Sequence, residues 1–177
     1  MYRLPILLLL LAALGCSDEP AAPAASVPQT PEFTPGSGVS GDRLGQATFD
    51  VGKVKRVNDV YNWEVELEAK PGLEIAVRRF TYPPGSHTGW HKHPGPVFIQ
   101  VVSGTVTFYE APDCTPITVT SGGQGYLDLG EHAHIGRNES GTVTAQDVTV
   151  LFGPPDIHPD NFREDVSPAP CELPVLE

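Results

Sequence analysis

Five of the six histidines in this 177-residue chain lie between residues 87 and 134. Two pairs are separated by a single residue: His91 with His93, and His132 with His134. Because residues i and i+2 of an extended strand point to the same face, each pair can direct two imidazole rings into one space. Neutral imidazole is a common ligand of transition metal ions. The spacing therefore indicates a site in which separate strands supply three or four ligands to one ion.

The segments around these histidines have the pattern of short β-strands. Apolar and polar residues alternate in residues 63–67, and β-branched and aromatic residues recur in runs bounded by Gly, Pro, Asn and Asp. No long stretch has the period of a helix. The predicted strands are residues 63–67, 75–82, 97–102, 105–109, 117–120 and 142–152. We therefore expect one all-β domain over residues 47–153, built as a barrel or a sandwich.

The first histidine pair also resembles the first motif of the cupin superfamily. That motif has a Gly, then five residues, His-x-His, a Glu after three or four residues, and a second Gly six residues later. Here Gly85, His91, His93 and Gly104 occupy the matching positions. Val97 stands where the family has its glutamate.

The second histidine pair resembles the second cupin motif. Gly123, His134 and Asn138 have the required spacing. Leu129 stands at the usual Pro position, and Glu131 stands at the usual second Gly position. The resemblance covers roughly residues 70–153 and, because cupins host many activities, it is more specific for fold than for function.

The resemblance implies a cupin-type double-stranded β-helix, which is a jelly-roll-like antiparallel barrel. It implies one divalent metal ion, of Fe, Mn, Zn, Ni or Cu, held in the barrel mouth by His91, His93 and His134. Thiol dioxygenases are cupins that hold iron with three histidines, so Val97 is compatible with a metal site. The alternative is that these histidines only form hydrogen bonds inside the barrel.

The same resemblance implies a metal-dependent oxygenase or isomerase acting on a small organic molecule. Three protein ligands with open positions are typical of catalytic sites. A non-catalytic envelope module that binds a small ligand or a metal is the alternative, and a purely structural module is a third hypothesis. Cupin-like barrels often form dimers, so a homodimer is also expected.

The other histidines have weaker cases. His132 is either a fourth ligand or a rim residue that binds substrate or moves protons, and we favour the rim. His87, after a Pro-Pro-Gly turn, and His158, among prolines, are expected at the surface. Asp128 could accept the second ring N–H of a ligand histidine, but we favour a surface acid. Asn138 is expected to serve a turn or strand edge.

Five aromatic residues could line a ligand cavity, although in a β-barrel they more often fill the core. They are Tyr82, Trp90, Phe98, Tyr109 and Tyr126.

The N-terminus resembles a bacterial lipoprotein signal. Arg3 precedes an apolar run at residues 4–14, which is shorter than the roughly 20 residues of a spanning helix. Gly15 and Cys16 follow in the places of the small residue and the acylated cysteine. This predicts removal of residues 1–15 and export. Lipid on Cys16 would anchor the protein to the membrane, facing the periplasm or the cell exterior.

Residues 16–46 contain five prolines and are predicted to be a disordered tether. If Cys16 is acylated, Cys114 and Cys171 remain, and an exported protein sits where disulfides persist. We expect this pair to form a disulfide, with two free thiols as the alternative. Residues 154–177 are rich in proline and acidic residues and are predicted to be an irregular arm over the surface.

The charge balance limits the classes of partner. Lys and Arg number 11 against 22 Asp and Glu, giving a formal net charge of −11. Nucleic-acid binding needs a basic face that displaces phosphate counterions, so we expect no nucleic-acid partner. The expected partners are a small molecule in the barrel and a membrane reached only through the lipid.

Overall fold

A computed structural model describes residues 36–176, which form two five-stranded antiparallel sheets and a separate hairpin. The predicted signal peptide, Cys16 and the tether up to residue 35 lie outside the described residues. The strands are β1 (Ser40–Phe49), β2 (Gly52–Asn58), β3 (Trp63–Ala69), β4 (Leu73–Tyr82), β5 (His91–Lys92), β6 (Val97–Ser103), β7 (Thr105–Glu110), β8 (Ile117–Thr120), β9 (Tyr126–Asp128), β10 (His134–Arg137), β11 (Ala145–Gly153) and β12 (Glu164–Asp165).

The two sheets form the predicted jelly-roll-like double-stranded β-helix. One, here called the long sheet, has the order β1-β4-β11-β6-β9. The other, the histidine sheet, has the order β12-β5-β10-β7-β8. From β4 to β11 the chain passes back and forth between the sheets, and every pairing is antiparallel. The prediction of an all-β fold with a jelly-roll-like pair of antiparallel sheets is therefore confirmed.

The core lies between the two sheets. Strand β11 shows why, because Ala145, Asp147, Thr149 and Leu151 are buried and alternate with half-buried residues that face outward. The main buried cluster comprises Ala76, Tyr82, Val97, Ile99, Val101, Val106, Phe108, Val119, Tyr126, Ala145, Leu151 and Phe162. Burial of this apolar surface is the main force that holds the two sheets together.

The predicted boundary between tether and barrel is wrong. Strand β1 begins at Ser40 and pairs along β4, so residues 40–46 belong to the long sheet. All ten residues of β1 are exposed, and the strand lies at a sheet edge. An exposed edge strand has no buried face, so its sequence shows no apolar alternation.

The clearest alternation in the sequence belongs to the hairpin and not to the barrel. Strand β3, which contains the predicted strand at 63–67, pairs only with β2 in a two-stranded sheet. Val54, Trp63 and Leu67 are about half exposed. The alternation here therefore reflects an amphipathic hairpin that no other described element covers.

The C-terminal arm is part of the folded body, which corrects the prediction that it runs over the surface. It contains a 3₁₀ turn at Pro159–Asn161 and the strand β12, which pairs with β5. Phe162 is fully buried in the main core. The remainder packs on the outer side of the histidine sheet, where the predicted Cys114–Cys171 disulfide is present.

Within residues 36–176, no helix has the length and apolar character needed to cross a membrane.

Candidate metal centre

Three of the predicted ligands converge inside the barrel. His91 opens β5, His93 follows directly after it, and His134 opens β10. His134 is the register partner of His91, so antiparallel pairing places the two side by side. The three ring centroids are 4.4 to 5.1 Å apart. One ligand nitrogen from each ring lies within 4.8 Å of the other two.

A backbone carbonyl fixes the Nδ1 side of the His91 ring. Its Nδ1 lies 2.8 Å from the carbonyl oxygen of Gly89. Because a carbonyl only accepts hydrogen bonds, Nδ1 carries the proton in the neutral ring and Nε2 is left with a free lone pair. This contact selects the tautomer that can bind a metal through Nε2.

The C-terminal arm fixes His93 in the same way. Its Nδ1 donates to the carbonyl oxygen of Phe162 at 2.5 Å. Phe162 is 0% exposed, and its ring packs in the main core. The arm thus supplies a fixed acceptor to a predicted ligand, although it lies some seventy residues further along the chain.

Asp128 is buried behind the third histidine, which corrects its assignment as a surface acid. It is 0% exposed, and its Oδ2 lies 3.4 Å from His134 Nδ1. Strand β9 directs it inward beside Val97, its register partner. Asp128 also accepts a hydrogen bond from the backbone N–H of Gly130 at 2.8 Å. A carboxylate behind a ligand histidine orients the ring and makes it more basic.

Burial keeps all three imidazoles neutral at pH 7. Desolvation lowers the pKa of His91 and His134 well below the usual value, and the mutual repulsion of the rings adds to this. Desolvation lowers the pKa of His93 to about 4, against the opposing hydrogen bond to Phe162. Metal ions bind the deprotonated nitrogen, so no imidazolium has to lose its proton before binding.

The arrangement fits a divalent transition metal. Nε2 of His91 and Nε2 of His134 are 3.0 Å apart. With the proton of His91 on Nδ1, Nε2–H of His134 can donate to Nε2 of His91 in the metal-free chain. Metal binding requires that this proton move to Nδ1 of His134, which faces Asp128. Two imidazole ligands of a tetrahedral zinc ion, with bonds of about 2.0–2.1 Å, lie roughly 3.3 Å apart, so the observed spacing is a few tenths of an ångström shorter.

One arginine and one buried carboxylate lie near the three histidines. Val97, at the position where the cupin motif has a glutamate, is 1% exposed and apolar. The guanidinium of Arg163 donates to the carbonyl of Thr88 at 2.7 Å, and its charge contributes to the lowered pKa of all three histidines. Arg163 is itself paired with Asp165, and the carboxylate of Asp128 faces His134, so acidic groups offset the positive charge beside the site.

The other candidate residues lie outside this group. His132 is exposed and lines a separate surface cavity with Glu110 and Asp113. His87 is half-buried beside the barrel and accepts a hydrogen bond from the N–H of Gly89 through Nδ1. His158 accepts the N–H of Asp160 at the start of the 3₁₀ turn.

The aromatic residues mostly fill the core, as expected. Tyr82 and Tyr126 belong to the main cluster. Trp90 and Tyr109 belong to a second cluster beneath the arm. Phe98 is different, because it points outward and is 50% exposed.

Asn138 holds a turn, as expected. Its side-chain amide donates to the carbonyls of Tyr82 and Val143, which ties the end of β10 to the loop that follows.

Sequence reasoning missed two groups that position the site, the carbonyl oxygens of Gly89 and Phe162. A backbone carbonyl has no sequence signal of its own. Gly89 has a φ of +74°, a conformation that favours glycine, so its position two residues before His91 was a usable hint of a tight turn. Nothing in the sequence near Phe162 indicates its contact with His93.

Comparisons with known proteins give partial similarity to cupins. No family model matches the sequence, and no curated protein matches it. A cupin superfamily protein from Desulfitobacterium hafniense aligns with 45% of this chain and 68% of its own, at 9% identity and a TM-score of 0.40.

Two further solved structures show similarity of the same degree. A cupin 2 conserved barrel domain protein from Leptotrichia buccalis aligns over 64% of this chain and 40% of its own, with 16% identity and a TM-score of 0.41. A DMSP lyase from Ruegeria pomeroyi aligns over 48% of this chain and 41% of its own, with 17% identity and a TM-score of 0.41. The fold assignment rests on the strand order and register of this chain itself.

Proposed function

We propose that this chain binds one divalent transition metal ion through Nε2 of His91, His93 and His134. The observation that carries the proposal is the convergence of the three rings, with two Nε2 atoms 3.0 Å apart and with Nδ1 of His91 and of His93 bound to backbone carbonyls. The ion is one of Fe, Mn, Zn, Ni or Cu, since imidazole binds all of these.

We further propose that the centre acts on a small organic molecule, as an oxygenase or an isomerase. A bound ion would supply Lewis acid or redox chemistry at positions that the protein leaves open. This chain contributes the orientation of the ligand rings and the exclusion of water, because His91 is 5% exposed and His134 is 2% exposed.

Elemental analysis of the exported protein, purified without added metal, tests the centre. We expect about one ion per chain in the wild type and less than a tenth of that in His91→Ala/His93→Ala. The matched control is His132→Ala/His158→Ala, which removes two exposed histidines and should keep the ion. Equal metal contents in the wild type and the His91/His93 variant would overturn the proposal.

A non-catalytic module that stores or presents a metal or small ligand is the second candidate. The burial of His91 and His134 favours it, because substrate must pass the covering chain to reach the ion. The metal-loaded protein is melted with small carboxylates and thiols, and each mixture is analysed for products by mass spectrometry. A raised melting temperature without product supports the binding module. Product formation supports the enzyme.

We also propose that the protein is exported, anchored by lipid on Cys16, and forms a homodimer. The apolar run before Cys16 supports the anchor, and a disulfide is typical of proteins in an oxidising compartment. Incorporation of labelled palmitate in cells tests the anchor, with Cys16→Ser as the control. Equal labelling of both proteins would contradict it.

A further inference from the structure

The outward side of the long sheet is an apolar surface. Its residues alternate with the buried ones on β4, β6, β9 and β11 and therefore point away from the core. Phe98, Val102 and Leu127 are 44–50% exposed. The outer face, as we call it, comprises Ile75, Val77, Phe98, Val102, Leu127, Val148, Val150 and Phe152. A groove of about 370 Å³ crosses it between Phe98, Leu127 and Val148.

The hairpin has a second apolar surface. Register pairs Val54 with Leu67 and Asn58 with Trp63, so these side chains share one face with Val65. The opposite face carries ion pairs between Lys53 and Lys55 and the glutamates of β3. This face-specific pattern indicates that one side of the hairpin is built to pack on an apolar surface.

The hairpin does not cover the outer face of its own chain. Among the described strands, β2 and β3 form hydrogen bonds only with each other. The hairpin leaves the long sheet where β1 ends and β4 begins, and Val54 and Leu67 remain 48% and 51% exposed. Both apolar surfaces are therefore bare in the single chain.

We propose that the hairpin of one chain packs on the outer face of a second copy, and that the two copies do so reciprocally. Three side chains of each surface are 44–54% exposed, namely Phe98, Val102 and Leu127 on the outer face and Val54, Trp63 and Leu67 on the hairpin. Contiguous exposed apolar patches of this kind mark protein interaction sites.

The dimensions and the charges also suit a second copy. A strand of seven residues is about 23 Å long, which is enough to cross five strands spaced about 4.8 Å apart.

Two chains of net charge −11 repel each other, so contact between them is least unfavourable where their surfaces carry few charged side chains. Arg56, Arg79 and Asp42 are the charged side chains on these two surfaces. Reciprocal packing is closed, so it ends at a dimer.

Photo-crosslinking of the full chain in the exporting cells tests the hairpin surface. The crosslinking amino acid p-benzoylphenylalanine replaces either Val54 or Val57. These residues lie on the same strand at 48% and 47% exposure but on opposite faces. We expect Val54→p-benzoylphenylalanine to give a product with twice the mass of the single mature chain, joined to peptides of β6 or β9. We expect Val57→p-benzoylphenylalanine to give at least tenfold less.

A second pair of variants tests the outer face. Leu127→Asp on the long sheet should remove the crosslink from position 54. Ile117→Asp, at a similarly exposed apolar position on the histidine sheet, should keep it. Circular dichroism spectra of the purified variants that match the wild type show that both variants fold. Equal crosslinking from positions 54 and 57 would overturn the proposal. Crosslinks from position 54 to lipid, to another protein or to residues 1–35 would also overturn it.

Discussion

The two five-stranded sheets bury one face each in the common core, but they differ in what covers the other face. The histidine sheet is covered by the C-terminal arm, which buries Trp90, Ile135 and Leu173. The outer face of the long sheet is bare, with Phe98 half exposed. The sheet that carries the predicted ligands is therefore the one enclosed on both sides.

Strand length explains why this cover matters. The long sheet contains strands of ten, nine and seven residues. The many backbone hydrogen bonds between these strands fix the geometry of the sheet. The ligand strands β5 and β10 have only two and four residues. Short strands contribute few backbone hydrogen bonds, so tertiary packing must hold the histidines. The arm provides this packing and also the carbonyl that binds His93.

The strongest test of this comparison uses one substitution on each side of the long sheet. Phe162→Ala removes a buried ring of the arm and should lower the free energy of unfolding by about 3–5 kcal/mol. Phe98→Ala on the outer face should lower it by less than about 1 kcal/mol. Urea unfolding of the metal-free protein, at a concentration where the chains are monomeric, gives both values. Similar losses would show that the arm is not a structural part of the barrel.

The sequence predicted those parts of the fold that local residue patterns and motif spacing specify. The short β-rich runs predicted an all-β barrel or sandwich, and His91 and His93 have the spacing of one strand face. The double-stranded β-helix and the three-histidine site with His134 were implied by the resemblance to the cupin motifs. Phe98 was expected in the core because apolar alternation does not tell which of two apolar faces is buried.

Contacts between distant segments could not be predicted from the sequence. The burial of Phe162 depends on where the arm crosses the barrel, and proline-rich composition gave the opposite expectation. Asp128 has no local feature that separates it from a surface acid, and only its pairing with Val97 turns it inward. Such contacts depend on tertiary packing, which local patterns do not specify.

Two buried aspartates extend this comparison between the sheets, because only one of them faces a histidine that is a predicted metal ligand. Asp128 faces His134, whereas Asp147 accepts the hydroxyl of Tyr82 at 2.8 Å on the long sheet. Asp128→Asn should weaken zinc binding about 10–100-fold, since it removes the charge that orients the ring. Asp147→Asn should leave binding within about twofold. Competition with a chromophoric chelator measures both, and equal effects would contradict the assigned role of Asp128.

Asp147 should make stability depend on pH. Burial raises its pKa to about 7, against hydrogen bonds from Tyr82 and Phe80 that lower it. The unfolded value is about 3.9, so between these two values the folded state holds a proton that the unfolded state has lost. The stabilisation is complete below about pH 4 and disappears as the pH rises through 7.

Asp147→Asn removes this dependence, and its amide oxygen can still accept the hydroxyl of Tyr82. Relative to the wild type, the variant should gain about 2–3 kcal/mol of unfolding free energy at pH 8 compared with pH 5. Urea unfolding of both proteins at the two pH values measures the gain, because other titrating groups cancel in the difference. A constant difference would mean that the carboxyl is already ionised in the folded protein at pH 5. The interior of the long sheet would then be more polar than its burial indicates.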